Sequence, residues 1–383
     1  MWMEMPRKRK IKMNSKYSKV LLAVLLLVTT MAVSVVALRL VHASDDSSNA
    51  GDTQALQTNG ATKNTTPAEG STEEEKAEVA KMTAQANGAN STKKTATTSE
   101  PTVQYAPISA PTLRGQKLFV DSAQKTGQPV EIASQSTATW LGGWTVNVNQ
   151  SVNSSVSAAS AQGAVATFVI YNIPARDCGS YSAGGASSSQ AYRAWTHSIA
   201  AGIGMRPAIV IIEPDALAQM DCLSAADQAT RYADIADTVN VLATKTKAFI
   251  YLDAGNSTWI NADTMAGRLE KANVAQARGF AINVSNFNTT ESSRQYGEKI
   301  SSKNAKSYVI DTSRNGQGKL GNEWCNPSGR GLGKKPTTLT SGYLDAYLWV
   351  KTPGESDGEC NGGPSAGTWW PEYAQGLIDN AVY

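Results

Sequence analysis

Short apolar segments recur at regular intervals along the carboxyl-terminal part of the chain. Each is rich in β-branched residues, and a longer, more polar stretch separates it from the next. Near-continuous apolar segments of this kind are typical of strands in a parallel sheet that is covered on both faces. The strong segments lie at 166–174, 207–213, 248–253, 279–284, 307–311 and 345–351, and a weaker one lies at 117–121.

The stretches between these segments carry helical patterns. Ser224 and Asp227 form a capping-box start, and apolar residues follow at helical spacing as far as Leu242. The alternation over about 280 residues favours an α/β fold, a (β/α) barrel with about seven strands, over an open doubly wound sheet. No GxGxxG motif follows a strand, which counts against a nucleotide-binding fold.

Residues 1–43 have the pattern of an export signal. A basic segment precedes an uncharged, mostly apolar run at 20–38, and Val41 and Ala43 are the small residues expected before cleavage near Ser44. The apolar run has 19 residues, enough to cross a membrane, so an uncleaved anchor is the alternative to a signal peptide. In both cases we expect a secreted or extracellular protein, and in the second case one anchored through residues 20–38.

The rest of the chain divides into a polar segment and a domain. Residues 44–104 are rich in Ser, Thr and Ala and contain no aromatic residue, so we expect a disordered linker there. Residues 105–383 hold eight of the nine Trp and all five Phe, which is enough for one domain with a large core. We expect this domain to be the catalytic part and the chain to be a monomer.

Charge and histidine content exclude several functions. The net charge of +3 arises from +7 in residues 1–43 and −4 in residues 44–104, whereas residues 105–383 hold 22 basic and 22 acidic side chains. A neutral domain gives no reason to expect nucleic acid as a partner. His197 is the one histidine of residues 105–383. A histidine-based catalytic triad would have to use it, and a typical zinc site needs several histidines or a CxxC pair. We therefore expect no metal and no cofactor, and proton chemistry carried by carboxylates.

Polar and charged residues stand where the predicted strands end. In a (β/α) barrel the carboxyl ends of the strands and the loops after them form the active site. A single acid at such a position can instead cap the next helix, but four acids on four strands favour a shared site. The residues are Asp177, Asp215, Asp253, Asn286, Arg314, Lys351, Glu355 and Asp357.

Seven sequence motifs surround these positions and follow one another in order through the whole domain. Together they resemble glycoside hydrolase family 6, the endoglucanases and cellobiohydrolases that act on β-1,4-glucan. The resemblance implies a distorted TIM-like barrel and a β-1,4-glucan polysaccharide as substrate. The motifs are VIYNIPARDCG (169–179), IIEPDALA (211–218), YLDAG (251–255), NVSNF (283–287), DTSRNG (311–316), WCNPSGRGLG (324–333) and WVKTPGESDG (349–358).

The resemblance implies hydrolysis with inversion of the anomeric centre. Asp215 matches the general acid, which must stay protonated, and Asp177 matches the acid whose negative charge raises the pKa of Asp215. Asp357 matches the candidate base, although the family resemblance also allows water activation through a relay. Ser182 matches the serine on that water path, and Asp253 matches a further acid that contributes to binding and charge balance.

Further positions match substrate-binding groups of the family. Tyr171 is expected to press on the sugar ring at the cleavage point. Flat aromatic rings bind the C–H faces of a glucan, and polar groups bind its hydroxyls. The expected binding residues are Trp140, Trp259, Trp324, Asn286, Lys351 and Glu355.

The four cysteines show no CxxC spacing, and in an exported protein an even number predicts disulfides. Sequence alone allows three pairings. The family resemblance selects Cys178 with Cys222 and Cys325 with Cys360.

The mode of attack depends on the loops that cover the cleft. Residues 358–369 number only 12, whereas tunnel-forming members of the family carry a much longer insertion there, so we expect an endoglucanase. A cellobiohydrolase of the same family is the alternative. A further alternative is a catalytically inactive surface protein that binds glucan. It is disfavoured because every acid that matches the family's catalytic acids is present.

Overall fold

The computed structural model of the protein describes residues 112–383. The expected signal or anchor at 1–43 and the expected linker at 44–104 lie outside the described residues. Within residues 112–383, none of the helices is both long enough and apolar enough to cross a membrane.

A curved parallel sheet of eight strands forms the centre of this described part. The strands follow the order β1-β3-β4-β5-β6-β7-β8, and β2 pairs with β3. The six strong apolar segments of the sequence became β3 to β8, which confirms the predicted barrel-like α/β fold. The bounds are β1 Lys117–Leu118, β2 Thr139–Leu141, β3 Ala164–Ile170, β4 Ala208–Ile212, β5 Phe249–Asp253, β6 Gly279–Ile282, β7 Ser307–Asp311 and β8 Leu344–Leu348.

Strand β2 lies between the two ends of the curved sheet. It pairs in parallel with β3, where Trp140 is opposite Val169. On its other side, a single parallel bridge joins Thr137 to Trp349, just after β8, and the Ala138 N–H donates to the Trp349 carbonyl over 3.1 Å. The barrel is therefore closed at this seam by very few hydrogen bonds. Strand β2 was not predicted, because three residues are too few to show a strand pattern.

Helices cover the outside of the sheet. Several begin at a side chain that accepts a backbone N–H, as Ser224 does from Asp227 over 3.2 Å, which confirms the predicted capping-box start. The bounds are α1 Val130–Ala133, α2 Val148–Ala161, α3 Ser189–Ile203, α4 Ala225–Lys245, α5 Ala262–Lys271, α6 Thr290–Asn304 and α7 Pro371–Asp379.

The strands are buried on both faces. Residues such as Phe168 and Val210 pack against the helices, whereas Val169 and Ile211, one position along, fill the interior of the barrel. This two-sided burial explains why the strands appear in the sequence as continuous apolar segments and not as alternating ones. The loops at the carboxyl ends of the strands therefore start from buried, hydrogen-bonded positions.

Candidate active site

A cleft of about 830 Å³ opens at the carboxyl ends of the strands. Nine of the twelve predicted catalytic and binding residues line it. They are Trp140, Tyr171, Ser182, Asp215, Asn286, Trp324, Lys351, Glu355 and Asp357. Asp177 and Asp253 are not part of the lining but accept hydrogen bonds from two residues that are, Ser182 and Asp215, and Trp259 is not part of it.

Asp215 lies in the loop after β4, on the wall of the cleft. Its backbone has φ 70°, which is unusual for a non-glycine residue, and its N–H donates to Oδ1 of Asp253 over 3.0 Å. Burial raises the pKa of the Asp215 carboxyl well above its usual range, and the negative charges of Asp253 and then Asp177 add to that increase. Asp215 is thus a carboxylic acid held in its protonated form at an accessible position.

Asp253 ends strand β5 and is fully buried behind Asp215. Its Oδ1 accepts the backbone N–H groups of Asp215 and of Gly255, the latter over 2.9 Å. Its Oδ2 is buried and has no hydrogen-bond partner within residues 112–383. Burial raises the pKa of Asp253 to about 7, although the hydrogen bonds from the two backbone N–H groups lower it.

Asp177 lies in a strained turn after β3, where Ala175, Asp177 and Cys178 all have φ near +50°. Its Oδ2 accepts the backbone N–H of Ser182 over 2.7 Å, and its Oδ1 accepts the amide of Gln219 over 2.5 Å. The carboxylate is therefore fixed by one contact to its own loop and one to the loop that follows Asp215.

Tyr171 and Ser182 face the cleft beside Asp215. Burial raises the pKa of the Tyr171 hydroxyl, the Asp215 charge raises it further, and a hydrogen bond with Ser182 opposes the increase. The guanidinium of Arg176 lies 4.3 Å from the centre of the Tyr171 ring. It also donates to the carbonyls of Tyr171 and Ser182, over 2.7 and 2.8 Å, so Arg176 holds both residues in place.

Asp357 also lines the cleft, and each of its two oxygens has a cationic neighbour. Its Oδ2 accepts from Arg314 Nη1 over 2.7 Å and from the Asn326 N–H over 3.0 Å. Lys351 Nζ lies 3.7 Å from Oδ1. The arrangement leaves little freedom for the Asp357 carboxylate to rotate.

Lys351, Glu355 and Asn286 surround the same part of the cleft. Burial lowers the pKa of Lys351, and the Asp357 charge opposes this; Lys351 Nζ donates to the Ser356 carbonyl over 3.2 Å. Burial raises the pKa of Glu355, and the Lys351 charge opposes it. Asn286 uses one N–H for the Val284 carbonyl at 3.1 Å.

The predicted aromatic residues differ in their placement. Trp140 is fixed by a 2.9 Å hydrogen bond from Nε1 to the Val350 carbonyl and meets the Tyr171 ring edge-on at 5.2 Å. Trp324 is 46% exposed, with its ring 5.1 Å from that of Tyr181. Trp259 is 42% exposed but lies beyond the lining of this cleft.

The family match agrees with this geometry. A model of glycosyl hydrolases family 6 matches residues 104–381. The chain belongs to this family. Endoglucanase A of Cellulomonas fimi is 43% identical over 278 residues, which are 71% of this chain and 60% of that protein. Endoglucanase 1 of Streptomyces halstedii is 42% identical over 257 residues, 64% of this chain and 79% of that protein.

A solved structure of the family gives the same picture. It is the endoglucanase Cel6 from Mycobacterium tuberculosis in complex with methyl-cellobiosyl-4-deoxy-4-thio-β-D-cellobioside. That chain is 42% identical, with a TM-score of 0.67, and the match covers 70% of this chain and 98% of the solved one.

Two disulfides support the site of this family 6 chain. Cys178 is bonded to Cys222, which joins the turn of Asp177 to the segment after Asp215, with the two Cα atoms 6.4 Å apart. Cys325 is bonded to Cys360, with the Cα atoms 6.2 Å apart. These are the pairings that the resemblance implied. In the described part of the chain, no group of His, Cys, Asp or Glu has the arrangement of a metal site.

Several residues that shape the site were not predicted. Glu213 is buried at the end of β4 and accepts the backbone N–H groups of Asn172 and Ile173 over 2.9 and 3.0 Å. Gln219 and Asn326 act through similar long-range hydrogen bonds, and Arg176 through bonds to carbonyls within its own loop. Three of these residues stand in the family motifs, which are the only sequence signal that could have indicated them, because hydrogen bonds to backbone groups leave no periodic pattern.

Proposed function

We propose that this family 6 chain is an endo-β-1,4-glucanase that hydrolyses internal glucosidic bonds with inversion. The observation that carries the proposal is the state of Asp215. Burial together with the charges of Asp253 and Asp177 holds this carboxyl protonated on the wall of an open cleft, as a general acid requires. The printed names of the two relatives, both endoglucanases, support the same activity.

In the proposed mechanism, Asp215 donates its proton to the glucosidic oxygen as the bond to the anomeric carbon breaks. Burial keeps this proton on Asp215 before the reaction, and the negative charges of Asp253, when it is ionised, and of Asp177 add to that effect. Because Asp177 is fixed by Ser182 and Gln219, its charge keeps a constant position relative to the acid. Tyr171, at the edge of Trp140, would press on the sugar ring at the cleavage point.

A water molecule attacks from the opposite face of the ring, which gives inversion. Asp357 is the proposed base. Its two oxygens are engaged by Arg314, Asn326 and Lys351, which supports proton transfer through an intervening water over direct contact. Ser182, whose side chain pairs with Tyr171, would lie on that path.

The proposed substrate is a β-1,4-glucan chain. Trp140 and Trp324 would bind its C–H faces, and Asn286, Lys351 and Glu355 would bind hydroxyls, because these groups line one continuous cleft. Trp259 would serve a sugar outside this cleft. We expect the enzyme to act as a monomer.

The short loop of residues 358–369 supports attack on internal bonds. It folds back on its own base, where the Ser356 and Thr368 backbones and the Gly367 and Ser356 backbones form hydrogen bonds of 2.9 Å. It therefore leaves the cleft open to a continuous chain. A cellobiohydrolase would need a cover over this region.

The test follows viscosity and reducing ends together on carboxymethyl-cellulose. We expect a steep early fall in viscosity per reducing end released. Because inverting cleavage of a β-bond gives an α-configured reducing end, proton NMR should show the α-anomer as the first product. A slow fall in viscosity with cellobiose as the main early product would overturn the endo assignment.

A second experiment tests the general acid. Asp215→Ala should lose most turnover and keep oligosaccharide binding, whereas Asp379→Asn, at an exposed position, should behave as wild type. Unchanged hydrolysis by Asp215→Ala would refute the assignment of Asp215 as the general acid.

We also propose that the protein is exported, either released after cleavage near Ser44 or anchored through residues 20–38. The supporting observation is the basic segment followed by 19 uncharged residues. N-terminal sequencing of the exported protein distinguishes the two forms. Retention of the whole protein inside the producing cell would refute both.

A further inference from the structure

Part of the cleft lining consists of residues that have no role in the proposed mechanism. The 3₁₀ turn Ser122–Lys125 and the residues on either side of it contribute four polar side chains to the lining of the cleft that also contains Trp140 and Glu355. They are Asp121, Gln124, Lys125 and Gln128.

Lys125 is only 6% exposed. Its ammonium donates to the Gln135 carbonyl, which is its one hydrogen-bond acceptor among the described residues. An ammonium group has three N–H donors, so two remain for a ligand in the cleft. Burial lowers the pKa of Lys125 to about 8, and the Asp121 charge opposes the decrease. The group is therefore poorly hydrated, and it would gain from hydroxyl acceptors.

Gln128 supplies the complementary group. Its Oε1 is buried and has no hydrogen-bond partner within residues 112–383. A buried acceptor without a donor is destabilising unless a ligand or water satisfies it. Lys125 and Gln128 thus bring spare donors and a spare acceptor to the lining of one cleft, the combination that a sugar hydroxyl can satisfy.

The position of this pair follows from strand β2. The residues from Thr137 to Leu141, of which β2 is the last three, would span about 13 Å when extended, and Thr137, Thr139 and Trp140 line the cleft. The Leu141 end lies beside Tyr171, whose N–H donates to the Leu141 carbonyl over 2.9 Å. Lys125 is tied to Gln135, beyond the other end, so it lies on the far side of Trp140 from the reaction centre.

We propose that Lys125 and Gln128 form an additional sugar subsite in this part of the cleft. It binds the hydroxyls of a glucosyl unit beyond the one that stacks on Trp140. Gln124 and Asp121 line the same place and would complete the polar surface. The proposal rests on the proposed function, because it takes the ligand to be a glucan chain.

The test compares cellotetraose with cellohexaose. In Lys125→Met and Gln128→Leu, which keep side-chain volume and remove the polar groups, the ratio of kcat/KM for the hexaose to that for the tetraose should fall about three- to tenfold. Lys117→Met, which removes an exposed charge outside the cleft, should leave that ratio unchanged. Thermal unfolding checks that each variant is folded, and Gln128→Leu decides the test if the Lys125 variant is unstable.

An unchanged ratio in folded Gln128→Leu would overturn the subsite. Failure of the proposed function gives a different result, since the wild type would then hydrolyse neither oligosaccharide. In that case calorimetric titration with the same two oligosaccharides replaces kinetics. The subsite is supported if the hexaose binds more tightly than the tetraose in the wild type and loses that advantage in the variants, and it is refuted otherwise.

Discussion

Asp357, which lines the cleft, forms an ion pair with Arg314 behind it, with Nη1 and Oδ2 2.7 Å apart. The Arg314 side chain is completely buried, and its Nη2 donates to the Ser285 carbonyl over 2.5 Å. The proposed base is therefore also the partner of a cation that has no access to water. Removing the carboxylate leaves a buried charge uncompensated, which is costly.

This pair predicts a stability effect separate from catalysis. Asp357→Leu should lower the free energy of unfolding by about 3–5 kcal/mol. Adding Arg314→Met should restore part of that loss, because the double variant no longer buries an unpaired charge. Urea unfolding of the two single variants and the double variant measures the coupling. Additive losses would show that the two side chains do not depend on each other.

A second prediction concerns the alkaline limb of the pH profile. The charges of Asp253 and Asp177 raise the pKa of Asp215, so removing either charge should lower that pKa. Activity is lost when Asp215 ionises, so the alkaline limb should move to lower pH in Asp177→Asn and Asp253→Asn, by about one unit. The measurement is kcat/KM as a function of pH. The quantity compared between the variants and the wild type is the pH at which the alkaline limb falls, not the maximum value of kcat/KM. A limb at the wild-type pH in both variants would contradict the assignment.

The positions of these acids could be foreseen, whereas their contacts could not. The apolar segments predicted six strands. In a barrel the carboxyl ends of the strands all lie at the same face, so Asp215 and Asp253, which stand at or just after the ends of two neighbouring strands, were predictable as neighbours. Strand β2 was missed because its three residues are recognisable only by their pairing with β3. The Arg314–Asp357 pair joins residues 43 positions apart, and no local pattern encodes such a contact.

A third prediction concerns stability against pH. Burial raises the pKa of Glu213 to about 7, from an ordinary value of 4.5. Below about pH 4.5 the folded and unfolded states are both protonated, and between that pH and about 7 only the folded state holds the proton. Stability should therefore fall as pH rises through this window, by roughly 3 kcal/mol for this group.

Glu213→Gln isolates that contribution. The amide keeps an oxygen for the Asn172 and Ile173 N–H groups but does not ionise. The fall in unfolding free energy between pH 5 and pH 8 should be smaller in this variant than in the wild type. The exposed Asp379→Asn should retain the full fall. Parallel curves for the wild type and Glu213→Gln would show that Glu213 does not hold a proton in the folded protein.

The last prediction concerns Asp311, which ends β7 and is fully buried. Its carboxylate accepts four backbone N–H groups from the loops around the cleft, over 2.9 to 3.2 Å. The donors are Ser285, Ser313, Val350 and Lys351. One side chain thus connects the loops that carry Asn286 and Lys351.

Asp311→Asn should destabilise the domain by at least about 2 kcal/mol, because an amide nitrogen cannot accept and leaves buried N–H groups without a partner. It should also raise KM for cello-oligosaccharides, since the Lys351 loop loses its anchor. Asp345→Asn is the matched control: Asp345 is buried on the neighbouring strand and pairs with Arg278 and Tyr251, outside the cleft. We expect that control to lose stability with KM unchanged at a temperature where both variants are folded. Equal KM values for the two variants would mean that Asp311 stabilises the fold without positioning the binding residues.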